Sequence, residues 1–184
     1  MAAKVEGRER IRLFCALSLP SETTEALVAW QRRAFGGVRD VRVLSAAHLH
    51  VTLAFLGHRP VGEVGGILEA LRESAAAAER PLLSVRRYRE TRSVGMLALD
   101  DEGGRAQALA RELHSRLEAL GVYEPERREW LPHVTVLRFR TRPRLDPPPE
   151  LPAFSPSDAA LYHSLLRSGG AQYEVMESFA LGGR

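Results

Sequence analysis

The period of apolar and polar positions along this chain changes several times, and each change predicts an element. "RIRLFCALSLP" (10–20) is a nearly continuous apolar run ended by a proline, the pattern of a buried strand. In "SETTEALVAWQRRAF" (21–35) the apolar residues fall at helical spacing, with Ser21 as the expected N-cap and the following "GG" as the stop. "VRVLSAAHLHVTLAFLG" (41–57) reads as a short strand and then a long one, and "VGEVGGILEALRESAAAAER" (61–80) as a helix with a weak, glycine-bearing start. "PLLSVRRYRE" and "SVGMLALD" predict two strands joined by a polar turn. "EGGRAQALARELHSRLEALG" (102–121) predicts a helix with Leu109, Leu113, Leu117 and Leu120 on one face and Gly121 as its stop. "LPHVTVLRFR" (131–140) is again strand-like. "TRPRLDPPPELP" is too rich in proline for regular structure, and "SDAALYHSLL" with "QYEVMESFAL" predicts a closing hairpin around "RSGG".

Strand–helix–strand units thus occur twice, which predicts an α+β fold rather than regular βαβ repeats. The expectation is two pseudo-symmetric lobes of mostly antiparallel sheet backed by helices, facing each other across a cleft. At 184 residues the chain suits a single bilobal domain spanning 1–184, with residues 1–9 a frayed terminus.

One strand in each half carries the same polar insertion. His50 and Thr52 stand in "HLHVTLAFLG", and His133 and Thr135 in "LPHVTVLRFR". Alternate side chains of a strand point to opposite faces, so each His and Thr share a face, opposite Val51, Leu53 and Phe55 in one strand and Val134 and Val136 in the other. If a pseudo-two-fold relates the halves, both polar pairs face one cleft. Two imidazoles flanking one site suit displacement at phosphorus, where one group deprotonates the nucleophile and the other protonates the leaving oxygen. The threonine hydroxyls can hydrogen-bond the non-bridging phosphate oxygens.

His48-x-His50 resembles a metal-ligand pair, but the second run offers one His and no acidic partner, so neither a metal nor a cofactor is expected. His58 is expected in a solvated turn, His114 beside the leucine stripe of its helix, and His163 as a structural or cleft-rim residue. The only cysteine, Cys15, sits in an apolar run and is expected as a buried small hydrophobe of a protein from a reducing compartment. The charged N-terminus is no secretory signal, and no segment approaches the ~20 apolar residues of a membrane span, so a soluble, cytoplasmic protein is expected. A net charge of +3 suits an anionic ligand. Nearly all the positive charge is arginine. With Lys4 the only lysine, and no glycine-rich phosphate loop, an ATP-dependent ligase acting through a lysyl–nucleotide intermediate is disfavoured.

"RLFCALSLP", "HLHVTLAFLG", "PHVTVLR" and "LYHSLLRSGGAQYEVMESFAL" follow the order and spacing of the bacterial and archaeal 2′-5′ RNA ligase family, also described as RNA 2′,3′-cyclic phosphodiesterases within the two-histidine phosphoesterases, and the chain resembles that family over nearly its whole length. The resemblance implies metal-independent hydrolysis of 2′,3′-cyclic phosphate RNA ends to 2′-phosphates, with possible ATP-independent 2′-5′ ligation. It also implies His50 as proton donor, His133 as proton acceptor, Thr52 and Thr135 as phosphate-binding hydroxyls, and Arg138 as a phosphate contact. Strict alternation points Arg138 away from His133, so its role requires a bulge, a twist or the reach of its side chain. Arg140, Arg142 and Arg144 could extend a basic rim for RNA backbone. The expected partner is an RNA or oligonucleotide with a cyclic phosphate end, bound by a monomer. The alternatives are a phosphodiesterase of small cyclic nucleotides or 2′-5′ oligonucleotides, and a non-catalytic RNA-binding module.

Overall fold

The computed structural model describes residues 9–143 and 148–182. Lys4 and Arg144 lie outside the described residues, as do most of the expected frayed terminus and part of the proline-rich connection. The strands are β1 (Arg10–Ser18), β2 (Val41–Val43), β3 (His50–Pro60), β4 (Leu83–Glu90), β5 (Val94–Asp101), β6 (His133–Phe139), β7 (Asp158–Arg167) and β8 (Gly170–Ala180). The α-helices are α1 (Ser21–Phe35), α2 (Val64–Ala77) and α3 (Arg105–Ala119).

These strands join one sheet in the order β4-β5-β6-β3-β1-β7-β8, with β2 also paired to β6, and each of these pairings is antiparallel. The two expected halves are therefore β3-β1-β7-β8 and β4-β5-β6-β2. They meet where β3 lies beside β6, through one register pair, Val51 with Val134.

Alternation along β1 divides the sheet into two faces. Leu13, Cys15 and Leu17 enter the main core with Leu27 and Trp30 of α1, Ile67 and Leu71 of α2, and Leu109, Leu113 and Leu117 of α3. Phe14 and Ala16 point the other way and form a smaller cluster with Ala160, Tyr162 and Tyr173. The helices thus back one face and leave the other for the cleft. Cys15 is fully buried, and that burial pushes its thiol up to about 12.

Several sequence expectations are corrected. Ser21 is the first residue of α1 and makes no side-chain cap; Pro20 precedes it in the cap position, its carbonyl accepting from Thr24. Leu120 lies past the last turn of α3 and is exposed, so the leucine stripe ends at Leu117. His58 is exposed but lies within β3 rather than in a turn, because Gly57, at φ +66°, is absorbed without ending the strand. Phe55 is 49% exposed and does not share the apolar face of Val51 and Leu53. Among the described residues no helix is long and apolar enough to cross a membrane.

Candidate active site

The single β3–β6 pair determines how the motifs meet. Continued from Val51 opposite Val134, the antiparallel register aligns His50 with Thr135 and Thr52 with His133. Each histidine is therefore in register with the other motif's threonine. Val51 and Val134 are 0% and 1% exposed and anchor the opposite face in the core.

Beyond this pair both strands bulge at the same place. On β3, Cys15 pairs with Ala54 and Ala16 with Thr52, which leaves Leu53 as the extra residue. On β6, Gly95 pairs with Leu137 and Met96 with Thr135, which leaves Val136. A bulge puts two consecutive residues on one face and resets the alternation beyond it. Leu53 and Ala54 both enter the core, as do Val136 and Leu137. Phe55 and Arg138 consequently return to the face of the histidines. That is how Arg138 reaches the cleft, and it is why Phe55 departs from the strict alternation read from sequence.

The cleft has a volume of about 180 Å³ and is walled by both motifs and by their neighbours. His50, Thr52 and Phe55 come from β3, Thr135 and Arg138 from β6, Arg12 and Phe14 from β1, Ser164 from β7 and Tyr173 from β8; Leu44 and His48 complete the wall. His133 is not part of this wall. It stands at the first position of β6, half-buried.

The two histidines have different surroundings. The His50 ring stacks on Phe14 at 4.9 Å and near Tyr162 at 5.9 Å, and meets the edge of Tyr173 at 5.6 Å. Its Nε2 is hydrogen-bonded to Thr52 Oγ1 at 3.1 Å. Burial among these rings lowers its pKa to about 4; the His48 carbonyl opposes the shift, and the nearby His48 and His133 rings add to it. His133 donates from Nδ1 to Leu131 O at 2.9 Å. A carbonyl only accepts, so Nδ1 carries the proton and the neutral ring presents a bare Nε2 lone pair.

The remaining histidines separate by their partners. His48 donates from Nε2 to Ala171 O at 2.7 Å and meets Ser45 Oγ through Nδ1 at 2.7 Å, so both ring nitrogens are engaged. Among the described residues no three His, Cys, Asp or Glu side chains converge as metal ligands. His163 lies on β7 between Tyr162 and Ser164, and it is these two neighbours that face the cleft side. Arg142 is paired with Glu90 at 2.8 Å, while Arg140 and Arg42 line a groove next to the cleft that shares Arg138 with it.

Sequence reasoning missed Ser164, whose hydroxyl is buried, lines the cleft and has no hydrogen-bond partner among the described residues. It also missed Arg12, whose guanidinium lies 4.9 Å from the centre of the Phe55 ring. One signal for Phe55 was present: His-Val-Thr-x-x-Phe and His-Val-Thr-x-x-Arg place Phe55 and Arg138 at the same distance from their histidines.

The family model of the 2′-5′ RNA ligase superfamily matches residues 19–160. The chain is 30% identical over 193 residues to the RNA 2′,3′-cyclic phosphodiesterase of Escherichia coli (strain K12), covering 92% of this chain and 96% of the relative. It is 34% identical over 193 residues to the RNA 2′,3′-cyclic phosphodiesterase of Thermus thermophilus, covering 94% and 91%. A crystal structure of a Thermus thermophilus protein superposes with a TM-score of 0.81 at 30% identity, covering 94% of this chain and 99% of that one.

Proposed function

The chain belongs to the 2′-5′ RNA ligase superfamily, and on that premise we propose that it is an RNA 2′,3′-cyclic phosphodiesterase that works by acid–base catalysis between His133 and His50. The observation that supports this reading is the Val51–Val134 pairing, which brings the two His-x-Thr motifs side by side in antiparallel register.

The cyclic phosphate occupies the space between the motifs. Thr52 and Thr135 donate to its non-bridging oxygens, and Arg138 offsets its negative charge from the β6 side. His133 Nε2 takes a proton from water, whose oxygen attacks phosphorus. The P–O3′ bond breaks, and the departing O3′ takes a proton from His50 Nε2. The products are a 2′-phosphate and a 3′-hydroxyl, and the two histidines have exchanged protonation states, which bulk solvent resets. An RNA 5′-hydroxyl in place of water gives a 2′-5′ linkage by the same movements, without ATP.

His50 must hold a proton to act as the acid, yet with only protein around its ring it does so only below about pH 4. An anionic phosphate beside the ring favours the imidazolium and raises that value. The acid is therefore charged by the arrival of its substrate. The groove bearing Arg42, Arg138 and Arg140 supplies positive charge for the RNA chain that precedes the cyclic end.

Incubation with an RNA ending in a 2′,3′-cyclic phosphate tests the reading. A 2′-phosphate end is expected; an unchanged end, or a 3′-phosphate, overturns it.

A further inference from the structure

The two bulges that turn Arg138 and Phe55 toward the cleft are each held from behind by a helix side chain. On β6 the carbonyl of the extra residue, Val136, accepts from Gln31 Nε2 at 2.6 Å and from the Leu44 backbone N–H at 2.9 Å. The other Gln31 amide hydrogen goes to Leu44 O at 3.1 Å. On β3 the carbonyl of the extra residue, Leu53, accepts from His114 Nε2 at 2.7 Å, and that of Thr52 accepts from Trp130 Nε1 at 3.0 Å. Gln31 comes from α1 and His114 from α3, and both lie on the core side of the sheet, opposite the cleft.

Gln31 has no packing reason to be polar. Gln31 is 1% exposed and shares the buried face of α1 with Leu27, Trp30 and Phe35, where an unpaired amide would be costly. His114 stacks on Tyr123 at 4.5 Å and 23°, which fixes its ring plane. Because Leu53 O can only accept, Nε2 of His114 carries a proton in either charge state compatible with this bond.

We propose that Gln31 and His114 are positioning residues for the reaction at the cleft, each locking the bulge that follows one His-x-Thr motif. An extended strand without the extra residue would return Arg138 and Phe55 to the core face, so the bulge must persist for either to meet the substrate. Val136 O also takes the Leu44 N–H, so Gln31 is a second donor to it, and a side-chain donor aimed at the extra residue's carbonyl favours the bulged register over the regular one. Gln31 thus acts through Arg138, and His114 acts through Phe55 and Thr52, without touching the substrate. The inference rests on the cyclic phosphodiesterase reading given above.

The test is a pair of double-mutant cycles read by kinetics on an RNA with a 2′,3′-cyclic phosphate end, with thermal melting to ensure that assays run on folded protein. Arg138→Ala should lower kcat/KM, and Gln31→Met, which keeps the shape but removes the donor, should lower it by about 10-fold to 10²-fold, the scale of a small misplacement. The double variant should be no worse than the poorer single one, because Gln31 has nothing left to aim once the guanidinium is gone. Losses that multiply, or a folded Gln31→Met protein with unchanged kcat/KM, overturn the proposal. The second cycle pairs His114→Leu with Phe55→Ala and holds even where Gln31→Met fails to fold. His114→Leu should lose activity, His114→Gln, which keeps a donor, should recover most of it, and the combination with Phe55→Ala should be sub-multiplicative. Equal losses for His114→Leu and His114→Gln, or multiplicative losses in the combination, overturn it for β3. If the wild-type protein leaves the cyclic end intact, or Arg138→Ala behaves as wild type, the functional reading itself fails and takes this inference with it. Multiplicative losses in an active enzyme refute the positioning role alone.

Discussion

Val51 and Val134 form the one register pair that joins β3 to β6 among the described residues. The pair is apolar and closed to solvent, yet it places every polar group of the two motifs, because each valine is flanked by the histidine and threonine of its own motif. In antiparallel register the motifs run in opposite directions, so the two imidazoles lie diagonally across the pair rather than side by side. On the proposed reading, a phosphate between the motifs has a histidine at two opposed corners and a threonine at the other two. In-line displacement needs its acid and base apart in this way, with the nucleophile entering opposite the leaving oxygen.

His50→Ala and His133→Ala should each lower kcat on the order of 10²-fold or more, as expected for loss of a general acid or base. The double variant should fall short of the product of the two losses, because the proposed scheme has both residues acting in one displacement. A substrate with sulfur in place of the 3′ leaving oxygen needs less protonation and should rescue His50→Ala more than His133→Ala. Equal rescue would show that donor and acceptor are misassigned.

Binding should be linked to proton uptake. His50 is neutral in the protein alone, with its pKa lowered to about 4, and an anion beside it raises that value. Inorganic phosphate or a 2′-phosphorylated nucleotide should therefore bind with net uptake of a proton near neutral pH and more tightly as pH falls toward about 6, the ordinary histidine range. Calorimetry in buffers of different ionisation enthalpy reads the uptake directly. Buffer-independent heats would rule out substrate-charged His50.

The same burial sets an acid limit on stability. The folded-state pKa of His50 is depressed from the ordinary 6.5 to about 4. The unfolded chain therefore binds a proton through this window that the folded chain refuses, and stability is lost as pH falls from 6.5 to about 4. The full shift corresponds to about 3 kcal/mol. Denaturant midpoints of His50→Phe, which keeps an aromatic ring against Phe14, should be less sensitive to pH in this window than those of wild type. Parallel pH profiles would refute the assignment.

Activity should survive exhaustive chelation. The proposed scheme needs His50 and His133 free of any ion, and the ring nitrogens of His48 are engaged by Ser45 and Ala171. Loss of turnover on chelation, restored by one divalent ion, would replace the acid–base scheme with a metal-assisted one.

Elements whose cause is local could be read from the sequence. Period and punctuation located the three helices and the long strands, and the repeated His-x-Thr spacing singled out His50, Thr52, His133 and Thr135 before any pairing was known. The reading failed where the cause lies between strands. A bulge is a mismatch of two partners, so nothing within "HVTLAF" or "HVTVLR" reveals that Leu53 and Val136 are extra residues. The exposure of Phe55 and the aim of Arg138 were hidden with it. Gln31 and His114 were illegible for a related reason, since their acceptors exist only because the bulges do. Ser164 escaped notice because its place in the cleft follows from the pairing of β7 with β1, two strands at opposite ends of the chain.

All but two of the residues that wall the cleft, Leu44 and His48, sit on strands of the sheet, and the helices lie wholly behind it. The recognition surface is thus laid down when the sheet forms, and ligand meets backbone that is already hydrogen-bonded on a ladder. Little conformational entropy remains to be lost on binding. Amide exchange in β1, β3, β6 and β7 should then change little when a nucleotide binds, and discrimination among RNA ends should arise from the fit of rigid side chains rather than from closure around the correct one.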